Sequence, residues 1–113
     1  MHELSITSDL LNIALAKAGE AGAKKVKCVR IKVGEFTSVE PECIKHYFSN
    51  LTVGTIAEGA DLSVKRVPLT ARCTDCALPF APESFSFKCP ACGSSQVNII
   101  SGRELHVDSI VVI

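Results

Sequence analysis

The sequence predicts an α+β protein: two helices packed on a small three-stranded sheet, with an inserted lobe built around four cysteines. Two stretches carry apolar residues at helical spacing and three short stretches alternate apolar with polar residues. A doubled C-x-x-C pattern interrupts the chain before the last alternating stretch.

Each element has its own signal. From Leu4 to Ala18, apolar residues recur at Leu4, Leu11, Ala14 or Leu15, and Ala18, while Ile6, Leu10 and Ile13 widen the stripe. The run "GEAG" at Gly19 to Gly22 ends that helix. "KVKCVRIKV" alternates, which places Val29, Ile31 and Val33 on one face of a strand. "EPECIKHYFSNL" is the second helix: Pro41 suits a first turn, where no backbone N–H is needed. Ile44, Tyr47, Phe48 and Leu51 then keep the i, i+3, i+4, i+7 spacing. "ADLSVKRV" turns Leu62 and Val64 inward, and "RELHVDSIVVI" turns Leu105 and Val107 inward with an irregularity near Ser109. The chain therefore leaves one core at Arg72 and returns to it at Arg103. The expected division is residues 1–70 plus 101–113 as an α/β domain and residues 71–100 as a ribbon domain.

Composition narrows the function. A chain of 113 residues that is 47% hydrophobic can fill one compact core and a small satellite. Twelve basic residues balance twelve acidic ones, whereas binding nucleic acid by counterion release favours a basic protein. The opening segment has no positive leader and carries His2, Glu3 and Asp9 among its apolar residues, so no secretory signal is expected. No apolar run approaches the roughly 20 residues that span a bilayer. A cytoplasmic location follows as the expectation, and six cysteines kept reduced there point to metal or redox chemistry.

The inserted lobe reads Cys73-x-x-Cys76, twelve residues, then Cys89-x-x-Cys92. Each short turn aims two thiolates at one ion, and two turns complete a tetrahedron with bonds of about 2.3 Å. Gly93 follows the second pair, where a positive φ closes the turn, and Phe80, Phe85 and Phe87 supply apolar filling. No fifth ligand is needed, so the site is closed and structural. Ala77 and Gly93 stand where a c-type haem motif requires histidine. Two matched pairs also argue against a thioredoxin-like redox site. Iron remains the rival to zinc, since "CPACG" suits a rubredoxin-like centre. Between Cys73 and Cys92 the charges are only Asp75, Glu83 and Lys88, a poor basis for nucleic-acid readout.

The other chemistry lies at the start, "MHELSI". Met1 is expected to escape removal before the bulky His2. Its α-amine, the deprotonated amide nitrogen of His2 and the imidazole Nδ1 form fused five- and six-membered chelate rings on three corners of a square. Glu3 can complete the square with a backbone nitrogen or its carboxylate. Nitrogen-rich planar sites select Ni(II) or Cu(II). The helix dipole opposes a cation there, which Glu3 and Glu40 would offset. Taken alone, a histidine near a terminus is most often a solvated end residue. Paired with a closed thiolate site, an open chelate suggests transport of an ion rather than catalysis.

Five pieces in order, "MHELSI", "VGEF" at 33–36 with "VEP" at 39–41, "EGADL" at 58–62 and the "CTDC…CPACG" ribbon, resemble the HypA/HybF family. The resemblance covers essentially the whole chain and implies a nickel metallochaperone for maturation of [NiFe]-hydrogenase, not an enzyme. It implies nickel at Met1, His2 and Glu3, and zinc at Cys73, Cys76, Cys89 and Cys92, with Glu40 a minor candidate for nickel. Implied partners are a nickel-binding GTPase and the hydrogenase large subunit, with urease as a second client in some members. Neither nucleic acid nor membrane is expected as a partner; oligomeric state is not fixed, so a homo-oligomer is allowed.

Bland readings cover the rest. Cys43 and His46 lie i, i+3 on the second helix but flank its apolar stripe. Cys28 reads as a small packed hydrophobe. Arg30, Lys32, Lys65 and Arg66, like His106 and Asp108, read as solvated sheet positions. A zinc-ribbon interaction or nucleic-acid module with an inert terminus, and a small iron electron carrier, are the alternatives to nickel transport.

Overall fold

A computed structural model describes residues 2–113, except for the side chain of Phe85. Helix α1 (Glu3–Glu20) leads to strand β1 (Val26–Gly34), a 3-10 turn (Glu35–Thr37), α2 (Pro41–Leu51) and β2 (Asp61–Val67). The inserted lobe holds β3 (Thr70–Cys73), β4 (Pro79–Phe80), a second 3-10 turn (Glu83–Phe85) and β5 (Val97–Ser101). Strand β6 (Leu105–Val112) returns to the first sheet, whose order is β2-β1-β6; the second sheet is β4-β3-β5. The molecule is elongated, 54 × 25 × 16 Å, because each lobe carries its own small sheet.

Strand β1 is central and its inward side chains Val26, Val29, Ile31 and Val33 are all buried. It runs parallel to β2, pairing Val29 with Leu62 and Ile31 with Val64, and antiparallel to β6. A parallel pair cannot be closed by a hairpin, so α2 serves as the crossover. The predicted inward residues Leu62, Val64, Leu105 and Val107 all pack on this core. The irregularity expected near Ser109 is a bulge: Arg30 pairs with Ser109 and Ile31 with Val107, leaving Asp108 as the extra residue. That one residue resets the alternation, so Ile110 and Val112 face inward as Leu105 and Val107 do.

Both helices cover one face of this sheet. Helix α1 buries Thr7, Leu10, Leu11, Ala14 and Ala18, and α2 buries Ile44 and Phe48. Two members of the predicted stripe lie outside it: Leu4 is 51% and Ile13 47% exposed. Thr7 occupies the inward position near Leu4 instead, and its hydroxyl donates to the Glu3 carbonyl at 2.6 Å. The end signal at "GEAG" is a Schellman motif. Ala23 N–H donates to the Ala18 carbonyl and Gly22 N–H to that of Gly19, with Gly22 at φ +65°. Cys28 is half-buried on the helix-free face rather than packed in the core, across from Val111. On the same face Lys32 reaches Asp108 at 3.5 Å, a solvated pair of small energetic weight.

The lobes meet where two backbones touch. A Cβ on Gly34 would lie 2.0 Å from the Gly102 carbonyl oxygen, and one on Gly102 would lie 2.7 Å from the Leu69 Cα. Gly102 also holds φ +109°, open to glycine but strained for other residues. Across this contact Gly34 N–H donates to the Glu104 carbonyl at 2.6 Å and Phe36 N–H to the Gly102 carbonyl at 2.8 Å. The Phe36 ring then meets Phe87 of the inserted lobe edge to face at 5.9 Å, and the Arg103 guanidinium lies 5.9 Å over it. Phe87, expected to fill the ribbon, thus helps join the two lobes.

Glu104 ties the same crossing together. Its carboxylate accepts from the Gly102 N–H at 2.7 Å, and its own backbone N–H and that of Gly102 hold it below the ordinary carboxylate value of 4.5. A carboxylate held low when folded contributes stability that is full above the unfolded value and is lost as pH falls through the folded one. Melting temperatures of wild type and Glu104→Gln should therefore differ at pH 7 and converge as the pH drops below about 4. A gap that persists at low pH would remove the charge from this account.

Candidate metal centres

The two C-x-x-C turns have the same backbone. Cys73 N–H donates to the Leu78 carbonyl and Ala77 N–H to that of Cys73; Cys89 N–H donates to Ser94 and Gly93 N–H to Cys89. Both turns place the residue after the second cysteine in the left-handed region, Gly93 at φ +73° and Ala77 at φ +63°. For Ala77, which has a Cβ, that conformation costs roughly 1 kcal/mol. The turns are sewn to each other: Thr74 N–H and Oγ1 both donate to the Gln96 carbonyl, and the Ser94 hydroxyl donates to the Asp75 carboxylate.

This pairing brings Cys73, Cys76, Cys89 and Cys92 together, their sulfurs within 4.8 Å of one another. Cys73 Sγ lies 3.6 Å from Cys92 Sγ, and Cys76 Sγ lies 3.6 Å from Cys89 Sγ. No two are bonded as a disulfide. A tetrahedron with metal–sulfur bonds of about 2.3 Å has edges of about 3.8 Å, so the quartet suits zinc. Cys73 and Cys89 are buried and Cys76 and Cys92 exposed, so one side of the site opens to solvent.

The thiols titrate differently. The backbone N–H of Cys92 holds the Cys89 thiol down to about 7. At Cys92 the Ser94 backbone favours the thiolate, but the Cys73 sulfur, burial and the other two sulfurs outweigh it and push the thiol up to about 12. Cys76 is also raised: the Leu78 backbone pulls it down, and the Cys89 sulfur with burial overcomes that pull. Four crowded sulfurs cannot all carry charge unless a cation sits among them.

At the other end, α1 begins at Glu3, and its first helical bond runs from Ile6 N–H to the His2 carbonyl at 3.1 Å. The amide nitrogens of His2 and Glu3 therefore precede the helical ladder. His2 is exposed and its side chain does not cap the helix. With Glu3, Leu4, Ser5 and Tyr47 it lines an open hollow of about 360 Å³. Met1 lies outside the described residues. Glu40 is the N-cap of α2, its carboxylate accepting from Glu42 N–H at 3.5 Å, and it does not line that hollow. Tyr47, read from the sequence as a member of the apolar stripe, is half-buried and forms a wall of the hollow. Its phenol was the available signal, since tyrosine tends to keep one polar end out of the core.

Cys43 and His46 are both exposed on α2 and belong to no ligand cluster among the described residues. Among those residues, no helix is long and apolar enough to cross a membrane.

Comparison with known proteins decides the family. The family model described as "Hydrogenase/urease nickel incorporation, metallochaperone, hypA" matches residues 1–112. The chain belongs to the HypA family. It is 42% identical over 113 residues to the hydrogenase maturation factor HypA of Caldanaerobacter subterraneus subsp. tengcongensis, covering 99% of each chain. To the HypA of Moorella thermoacetica it is 39% identical over 108 residues, 96% of each. Among solved structures, the solution structure of a HypA protein superposes with a TM-score of 0.75 at 24% identity, covering 100% of this chain and 97% of the other. The nickel metallochaperone HypA of Helicobacter pylori gives 0.71 at 23% identity, covering 100% and 98%. At that identity the two solved structures speak for the fold alone. The HypA fold thus carries two helices, small sheets and a four-cysteine lobe suited to zinc, in a family of hydrogenase maturation metallochaperones.

Proposed function

We propose that this protein carries Ni(II) and delivers it during maturation of [NiFe]-hydrogenase. The α-amine of Met1, the amide and Nδ1 of His2, and Glu3 hold the cargo, while Cys73, Cys76, Cys89 and Cys92 hold a structural zinc. The observation that supports it is the start of α1 at Glu3, which leaves the His2 and Glu3 amides outside helical bonding and His2 exposed beside a hollow. A chelate formed from such groups can shed its ion to an acceptor. The protein acts as a carrier rather than a catalyst, in the cytoplasm, with a nickel-binding GTPase and the hydrogenase large subunit as partners; urease is the second client. Residues 71–100 act as the ribbon domain and residues 1–70 plus 101–113 as the cargo domain.

Nickel titration of three proteins tests this reading: wild type, His2→Ala, and a version with residues added ahead of Met1. Wild type should form a yellow, planar, diamagnetic nickel species beside about one zinc per chain. Both altered proteins should keep the zinc and bind nickel more than about 100-fold more weakly, since each loses a ligand rather than a ligand's support. Unchanged nickel affinity in the extended protein would end the terminal-chelate reading.

A further inference from the structure

The hollow beside His2 is built from the first turn of α1 and from one residue far along the chain, Tyr47 of α2. Helix packing brings it there: Ile44 and Phe48 enter the core, and Tyr47, between them in sequence, stays half-buried at the margin. The ring is held edge-on against His46, with centroids 5.7 Å apart. Among the described residues its hydroxyl has no hydrogen-bond partner, and neither does the His2 imidazole.

A histidine that binds a metal through Nδ1 retains an N–H at Nε2. Metal-bound histidines almost always donate that second N–H to an acceptor, which fixes the ring and raises its basicity. We infer that Tyr47 is a positioning residue for the nickel site, its Oη accepting the Nε2–H of nickel-bound His2 across the shared hollow. This rests on the nickel reading above. The phenol fits the task because it offers an acceptor without a charge, and α2 rather than a loop carries it. Of the other acceptors lining the hollow, the Glu3 carboxylate is assigned to the nickel itself, and the Ser5 hydroxyl is tied to the His2 carbonyl, to which it donates at 3.0 Å.

Nickel affinity and the absorption band of the planar nickel species are measured in wild type, Tyr47→Phe and Tyr47→Leu, with zinc content and far-UV circular dichroism as folding controls. Tyr47→Phe keeps the ring and removes only the acceptor. It should weaken nickel binding about ten-fold and shift the band, with zinc and helix content unchanged. Tyr47→Leu should lose about as much. Wild-type affinity and an unshifted band in Tyr47→Phe overturn the inference, even if Tyr47→Leu is impaired, because the ring's packing and not its hydroxyl would then matter. His2→Ala separates this failure from that of the larger reading: it weakens binding more than about 100-fold if the chelate exists and leaves it intact if the cargo sits elsewhere.

Discussion

Replacing Cys73 with serine should unfold the inserted lobe and leave the helix-and-sheet lobe assembled. The inserted lobe has little else to hold it. Its strands β3 and β4 span four and two residues, and among the described residues its buried side chains are Ala71, Cys73 and Cys89. A structural zinc contributes about 10–16 kcal/mol of apparent binding free energy at neutral pH, far more than such a core can supply. Among the described residues, the first lobe has a separate cluster of twelve buried side chains, from Leu10 to Ala57, that includes no cysteine. Amide hydrogen exchange should therefore show protection lost across residues 71–100 and retained at Val29, Ile31, Ile44 and Phe48. Removing zinc with a chelator should reproduce the pattern. Binding should also weaken as the pH falls, because each thiol must lose its proton to coordinate. Collapse of both lobes in the mutant would mean that they fold as one unit.

Gly34→Ala should be the most damaging single methyl added to the first lobe. The new Cβ would overlap the Gly102 carbonyl, and its neighbours are backbone atoms that cannot swing aside as a side chain can. The chain from Leu69 to Gly102 would have to move, straining the bonds from Gly34 N–H to Glu104 and from Phe36 N–H to Gly102. Overpacking and two weakened hydrogen bonds together cost about 3–5 kcal/mol. For a chain of this size that lowers the melting temperature by roughly 15 °C. A drop of only a degree or two would show that the two backbones are not in contact in solution. The same contact gives a physical reason for the glycine of the "VGEF" stretch: this residue is small so that the returning chain can cross β1.

Legibility followed distance along the chain. The inward set Val29, Ile31, Val33, Leu62, Val64, Leu105 and Val107 could be read because strand faces repeat every two residues. The cysteine quartet could be read because each C-x-x-C turn closes within six residues through its own backbone hydrogen bonds. Leu4 and Ile13 were misplaced because periodicity gives a face but not where the packing partner ends. The parallel pairing of β1 with β2 left no mark in either strand. Nor did the approach of Gly34 to Gly102, or the placement of Tyr47 beside His2.

By itself the amino-acid order determined the helices, the strand faces and the thiolate turns, since covalent neighbours govern all of these. Only the tertiary structure decided which backbones touch at the lobe junction, how far α1's apolar stripe is covered, and that a tyrosine of the second helix overlooks the first turn of α1. Those outcomes depend on contacts between segments distant in the chain. Each contact is weak on its own and takes its place only when the whole core closes.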